Sequence, residues 1–141
     1  MRPKAFLWPA LWVAVIFVTS STLVTSRQFV KSVATTVPVG ITEDNFGAFW
    51  RATWFIFVKG YHVLEYLVLF LLFHAAFRGL TAPKWETRLT TVLLTLTFAA
   101  LDEFHQQFVP GRGGHLSDVA IDALGVLLGM ALVEWRARQA S

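Results

Sequence analysis

Residues 5–24 contain no Asp, Glu, Lys or Arg. A helix needs about 20 mostly apolar residues to cross the hydrocarbon of a bilayer, where every backbone N–H and C=O must be satisfied inside the segment. Three further runs of similar length, 59–77, 90–109 and 116–135, are also mostly apolar. Four such runs in 141 residues leave no room for a separate soluble domain. The expectation is one domain over residues 1–141: an all-α membrane protein with four transmembrane helices in an up-and-down bundle. Composition agrees, because only 15% of residues are charged, against about 25% in soluble domains. The alternation of a membrane β-barrel strand is absent, and no internal repeat is visible.

The joints between the runs carry the expected punctuation. Arg2 and Lys4 precede the first run, a pattern shared with secretory signal peptides. The run is long for one, and no small-x-small cleavage site follows it, so a retained span is expected. Arg78, Gly79 and Pro83 close the second run, and Pro110, Gly111, Gly113 and Gly114 break the third. Ser117 and Asp118 suit the N-terminus of the fourth helix, and Arg136 and Arg138 follow it. Segment 25–59 has two characters. Its first part, with Arg27, Lys31, Pro38, Gly40, Glu43, Asp44 and Asn45, reads as a polar, turn-rich linker. Its second, 46–58, sets Trp50 and Trp54 around Arg51. It fits either an interfacial helix or an extension of the second span.

Basic residues predict the orientation. Arg2, Lys4, Arg78, Lys84, Arg88, Arg136 and Arg138 fall on one side, and Arg27, Lys31, Arg51, Lys59 and Arg112 on the other. Seven in short segments outweigh five spread mostly over a long loop, so both termini are expected on the cytoplasmic side. The pI near 9.7 does not point to nucleic acid, since the basic residues are scattered among apolar runs. The chain has no cysteine, which excludes disulfides, zinc–thiolate sites and thiol catalysis.

Charge at membrane depth is costly and is normally functional or paired, and here it converges. Lys59, Tyr61, His62, Glu65 and Tyr66 begin the second span. Asp102, Glu103, His105, Gln106 and Gln107 end the third, and Asp118 and Asp122 begin the fourth. In an up-and-down bundle these three ends meet on one side, extracytoplasmic if the termini are inside. Helical spacing puts Lys59, His62 and Tyr66 on one face, with Glu65 three residues beyond His62, and Asp102, His105 and Gln106 on another. Asp118, Asp122, Gly125 and Gly129 share a face of the fourth helix, and Gly125–Gly129 is a small-xxx-small pair. It could pack within one chain or between copies, giving a homo-oligomer.

The Gly-rich turn with Arg112 could hold a phosphate or carboxylate, or Arg112 could pair with Asp102 or Asp118. His74 reads as a packed or interfacial residue at the far end of its span, and His115 as a loop residue. For the cluster as a whole, the plain alternative to a ligand, metal or catalytic role is a buried ion-pair network that fixes helix register.

The stretch Asp102-Glu103-Phe104-His105-Gln106-Gln107-Phe108-Val109-Pro110-Gly111-Arg112, followed by Asp118 and Gly125/Gly129, resembles the VanZ-like family of small bacterial membrane proteins. So does the K-x-x-H-x-x-x-Y run Lys59, His62, Tyr66, and the Ser20-Ser21 pair is similar to the family's pattern. Val58 stands where the family commonly has an acidic residue, and Asp122 where it often has asparagine. The resemblance implies a cell-envelope protein. The family's namesake is associated with resistance to teicoplanin, a lipoglycopeptide antibiotic.

Three functions are open at this stage. The first is binding or remodelling of an anionic lipid-linked envelope component or a lipoglycopeptide at the outer face. Its candidate residues are Lys59, His62, Glu65, Tyr66, Asp102, Glu103, His105, Gln106, Arg112, Asp118 and Asp122. Lys59 and Arg112 would take the phosphate or carboxylate, and Asp118 and Asp122 would orient them. The second is an enzyme acting on lipid-linked or peptidoglycan substrates. Asp102, Glu103 and His105 would do its acid–base work, or a divalent metal would be held by His62, His105 and two carboxylates, a set suited to zinc or manganese. The third is a small transporter or flippase, for which four spans are few and inverted repeats are lacking.

Overall fold

The computed structural model describes residues 3–22, 25–37, 40–80 and 83–140; Arg2, Val24 and Pro38 lie outside them. A 3-10 turn, Pro3–Phe6, leads into α1, Leu7–Ser21. Pro9 is tolerated in the first turn of α1, where the missing N–H has no partner to lose. Next come α2, Ser26–Thr36, and α3, Glu43–Phe77. Two long helices complete the chain: α4, Lys84–Gln106, and α5, Leu116–Gln139.

The expected turn-rich linker contains a helix. Thr25 accepts the backbone N–H of Gln28 at 3.2 Å while the Gln28 side chain accepts the Thr25 N–H at 3.0 Å. This reciprocal cap ties down two otherwise orphaned donors and starts α2. Thr42 and Asn45 repeat it at the start of α3, where Glu43 and Asp44 also favour the positive end of the helix dipole. Segment 46–58 is continuous with the second span in one 35-residue helix. At 1.5 Å per residue that is about 52 Å, well beyond the roughly 30 Å hydrocarbon core. α2 lies on its early part through Phe29, whose ring is 4.4 Å from Trp50 and 6.0 Å from Phe46.

The core gathers Tyr66, Leu69, Phe70 and Phe73 of α3 with Ile16 of α1, Ala99 of α4 and Val126 of α5. α5 approaches α3 over Gly125 and Gly129. A Cβ on Gly125 would strike the backbone of Val63 and Leu67, and one on Gly129 the ring of Phe70. Of the two placements left open for this glycine pair, the structure shows the one within the chain. At the far end Arg88 pairs with Glu134 at 2.7 Å and His74 stacks on Phe70, the packed role expected for it.

Among the described residues three helices, not four, are long and apolar enough to cross a membrane: Lys4–Ser21, Glu43–Phe77 and Leu116–Gln139. The expected span 90–109 is the exception. The 23 residues of α4 suffice in length, but its inward face carries Thr87, Thr91, Thr95, Glu103 and Gln106, all buried, and these lower its hydropathy. Those polar groups meet protein rather than lipid.

Candidate functional site: a polar chamber at one end of the bundle

The last turn of α1, the middle of α3, the last turn of α4 and the first turns of α5 lie together, as the sequence predicts for the second to fourth runs. Lys59 Nζ is 2.7 Å from Asp118 Oδ2, and His62 Nδ1 is 3.3 Å from Asp122 Oδ1, an ion-pair distance without hydrogen-bond geometry. Glu65 accepts the Thr19 hydroxyl at 3.0 Å, and its backbone carbonyl accepts Trp12 Nε1 at 3.0 Å. Asp102 accepts the Ser20 hydroxyl at 2.5 Å and Gln106 Nε2 at 2.9 Å. Glu103 accepts Gln106 Nε2 at 3.3 Å and the backbone N–H of His115 at 3.0 Å. α5 starts at Leu116, where the fourth run was expected to begin. His115 takes its cap position, and neither Ser117 nor Asp118 caps it.

Arg112 pairs with neither Asp102 nor Asp118. Its Nη2 donates to the carbonyls of Thr19 and Thr22 at 3.1 and 3.0 Å, and its Nη1 to Gln106 Oε1 at 3.3 Å. A guanidinium satisfies the last carbonyls of α1 and complements the negative end of its dipole. The residue expected to hold an anion thus fastens α1 to the loop after α4. Gly111 supplies the positive φ of 82° that turns this loop. Gly114 lets it press on α4, where a Cβ would strike the carbonyl of Glu103.

His105 also departs from expectation. It does not join Glu103 or His62; its Nε2 is 3.0 Å from Ser21 Oγ, and its ring stacks on Phe17 at 4.6 Å. Ser21 Oγ also donates to the Phe17 carbonyl at 2.6 Å, so His105 is held against the end of α1, away from the carboxylates. The metal pair His62 with His105 is likewise not assembled. Instead His62, Glu103 and Asp122 bring their donor atoms within 4.8 Å of one another.

Between these helices lies a cavity of about 640 Å³. Its polar side presents Lys59, His62, Glu65, Asp102, Gln106, Arg112 and Asp118; its apolar side presents Phe29, Trp50, Trp54 and Phe57. A second, apolar crevice of about 220 Å³ runs between α1 and α4, lined by Val13, Ile16, Phe17, Leu69, Phe98 and Leu101. Asp102 and residues of α1, α3 and α4 border both spaces. Tyr66 also borders the crevice, although both it and Asp122 are 0% exposed. Sequence reasoning missed Trp12, Thr19 and Phe29. The polar triplet Thr19-Ser20-Ser21 ending an uncharged span was the available signal for Thr19; nothing in the sequence indicates Phe29.

A sequence profile of the family described as VanZ/LLP1 matches residues 5–136, nearly the whole chain. No curated protein and no solved structure gives a significant match.

Proposed function

Starting from the fact that the chain belongs to the VanZ/LLP1 family, and so is a VanZ-type envelope protein, we propose that it binds an amphiphilic, anionic lipid-linked envelope component or a lipoglycopeptide at the outer face of the bacterial inner membrane. The observation that carries this reading is the 640 Å³ cavity with charged and aromatic sides, bordered through Asp102 by the apolar crevice. Ligand pockets typically have about this volume and combine an apolar lining with a few fixed polar groups. An alkyl chain would lie in the crevice between α1 and α4, and the headgroup in the cavity.

Lys59 is the group available to an anion. Asp118 orients its ammonium through one contact, and an ammonium has three donors. Glu65 and Asp102 would accept hydroxyls of a sugar or peptide headgroup. Trp50 and Trp54, amphipathic rings suited to the headgroup level, would pack on its apolar parts. In this reading α4 completes a four-helix crossing, shielded from lipid on its threonine face. Both termini are cytoplasmic, and resistance to teicoplanin is one physiological outcome.

The test is binding of a polyprenyl-phosphate-linked saccharide to detergent-solubilised protein, followed by native mass spectrometry. Wild-type protein is expected to retain the lipid. Lys59→Ala should weaken retention at least tenfold, and Phe98→Trp, which fills the crevice, should compete with the alkyl chain. Equal retention by wild type, Lys59→Ala and Phe98→Trp would overturn the reading. In cells, Lys59→Ala should reduce any gain in teicoplanin tolerance produced by the wild-type chain.

A further inference from the structure

We propose that His62, Glu103 and Asp122 form a site for a divalent transition-metal cation beneath the polar side of the chamber. The three residues come from three helices, α3, α4 and α5, and their donor atoms lie within 4.8 Å of one another. This is a buried constellation rather than a surface acidic patch: Asp122 is 0% and Glu103 3% exposed.

An independent observation points to a missing partner. Both carboxylate oxygens of Asp122 are buried without a hydrogen bond, as is the hydroxyl of Tyr66, one helical turn from His62. Asp122 has the His62 ring at 3.3 Å but no hydrogen bond to offset the cost of burying its carboxylate. Burial is the main influence on the Tyr66 hydroxyl, followed by the negative charges of Asp102, Asp122, Glu65 and Glu103. A cation between the helices, with a water bound to it, gives both Asp122 and Tyr66 a partner.

The local charge count leads the same way. Five carboxylates, Glu65, Asp102, Glu103, Asp118 and Asp122, share this end of the bundle with two fixed cations, Lys59 and Arg112. Lys59 contacts Asp118, and Arg112 contacts Gln106 and the end of α1. Neither is bonded to Glu103 or Asp122. Four carboxylates, Glu65, Asp102, Glu103 and Asp122, are thus left without a Lys or Arg partner, and a 2+ ion beside Glu103 and Asp122 offsets two of them.

The donor set selects the kind of ion. One imidazole nitrogen with two carboxylates suits zinc or manganese, whereas magnesium and calcium favour oxygen alone. Glu103 is already held by Gln106 and by the backbone N–H of His115. Such outer bonds fix a carboxylate ligand while leaving it lone pairs for a metal. His62 also lines the chamber, so the ion is reached from that side. This inference does not rest on amphiphile binding.

The experiment uses the full chain without a polyhistidine tag, purified in detergent and treated with chelator. It is then dialysed against Zn²⁺ or Mn²⁺, and metal content is read by mass spectrometry alongside thermal unfolding. The expected result is about one ion per chain with a raised unfolding midpoint. His62→Ala, Glu103→Gln and Asp122→Asn should each weaken uptake at least tenfold, and His105→Ala, which faces Ser21, should leave it unchanged. Wild-type stoichiometry decides alone if a variant fails to fold. Uptake well below one ion per chain for both metals would overturn the proposal, as would uptake that His62→Ala and Asp122→Asn leave unaltered. Both outcomes are independent of whether a lipid-linked ligand binds.

Discussion

Thr91 and Thr95 on α4 are completely buried, and so are Asp122 on α5 and Tyr66 on α3. The two threonines return their hydroxyls to their own helix, Thr91 to the Thr87 carbonyl at 2.7 Å and Thr95 to the Thr91 carbonyl at 2.8 Å. They are polar in composition but satisfied before any neighbour arrives. Asp122 and Tyr66 project into the space between helices and find no hydrogen-bond partner there. A buried polar group that is locally satisfied costs little and reports on folding. One left unsatisfied is retained at a cost, and for Asp122 and Tyr66 the proposed cation would supply the missing contact.

Mutations that disturb the two regions should separate these cases. The largest effect is expected at the seam that holds both in place. Gly125→Leu drives a side chain into the backbone of Val63 and Leu67, where neither side can yield, and should cost about 3 kcal/mol or more. Loss of monodisperse protein in detergent and a collapse of the unfolding midpoint are the readouts; a wild-type midpoint would show that α5 does not approach α3 this closely. Arg112→Ala comes next. Removing a charged donor from the carbonyls of Thr19 and Thr22 should cost about 1.5–3 kcal/mol. It should also loosen α1, read as faster proteolysis between α1 and α2, and a stability equal to wild type would return Arg112 to ligand binding.

Asp122→Asn sharpens the contrast directly. In chelator, where no cation is present, replacing the unsatisfied carboxylate with a neutral group of the same shape should leave stability unchanged or raise it by about 1 kcal/mol. A large loss under those conditions would mean that Asp122 is a structural group like the threonines. Thr91→Val is expected to be smallest. The valine fills nearly the same volume, and the Thr87 carbonyl stays in the helical ladder, so less than about 1 kcal/mol is lost, consistent with the modest worth of side-chain hydrogen bonds in membrane bundles. Differential scanning fluorimetry in one detergent resolves all four if the variants are compared side by side.

Much of this was legible from residue order. Uncharged length announced α1, the glycine and proline breaks bounded α3, α4 and α5, and spacing by three and four put Asp118, Asp122, Gly125 and Gly129 on one face, all turned inward. The capping pair Thr25 and Gln28 was equally visible, and α2 could have been read from it. The span count was less legible, because hydropathy adds up a helix regardless of which face meets lipid. α4 keeps its polar residues on the face packed against protein.

The sequence by itself determined that this is a helical membrane chain of the VanZ type whose scarce charges gather near one end, since helix period and transfer energy are local properties of residue order. Which charges touch was decided only by tertiary packing. Periodicity tells which face a side chain occupies and not which neighbour stands opposite. The glycine-permitted approach of α5 to α3 set Lys59 on Asp118 and His62 on Asp122, and the turn at Gly111 carried Arg112 to α1. The rotation of α4 against α1 sent His105 to Ser21 while Glu103, two residues away, faced His62 and Asp122.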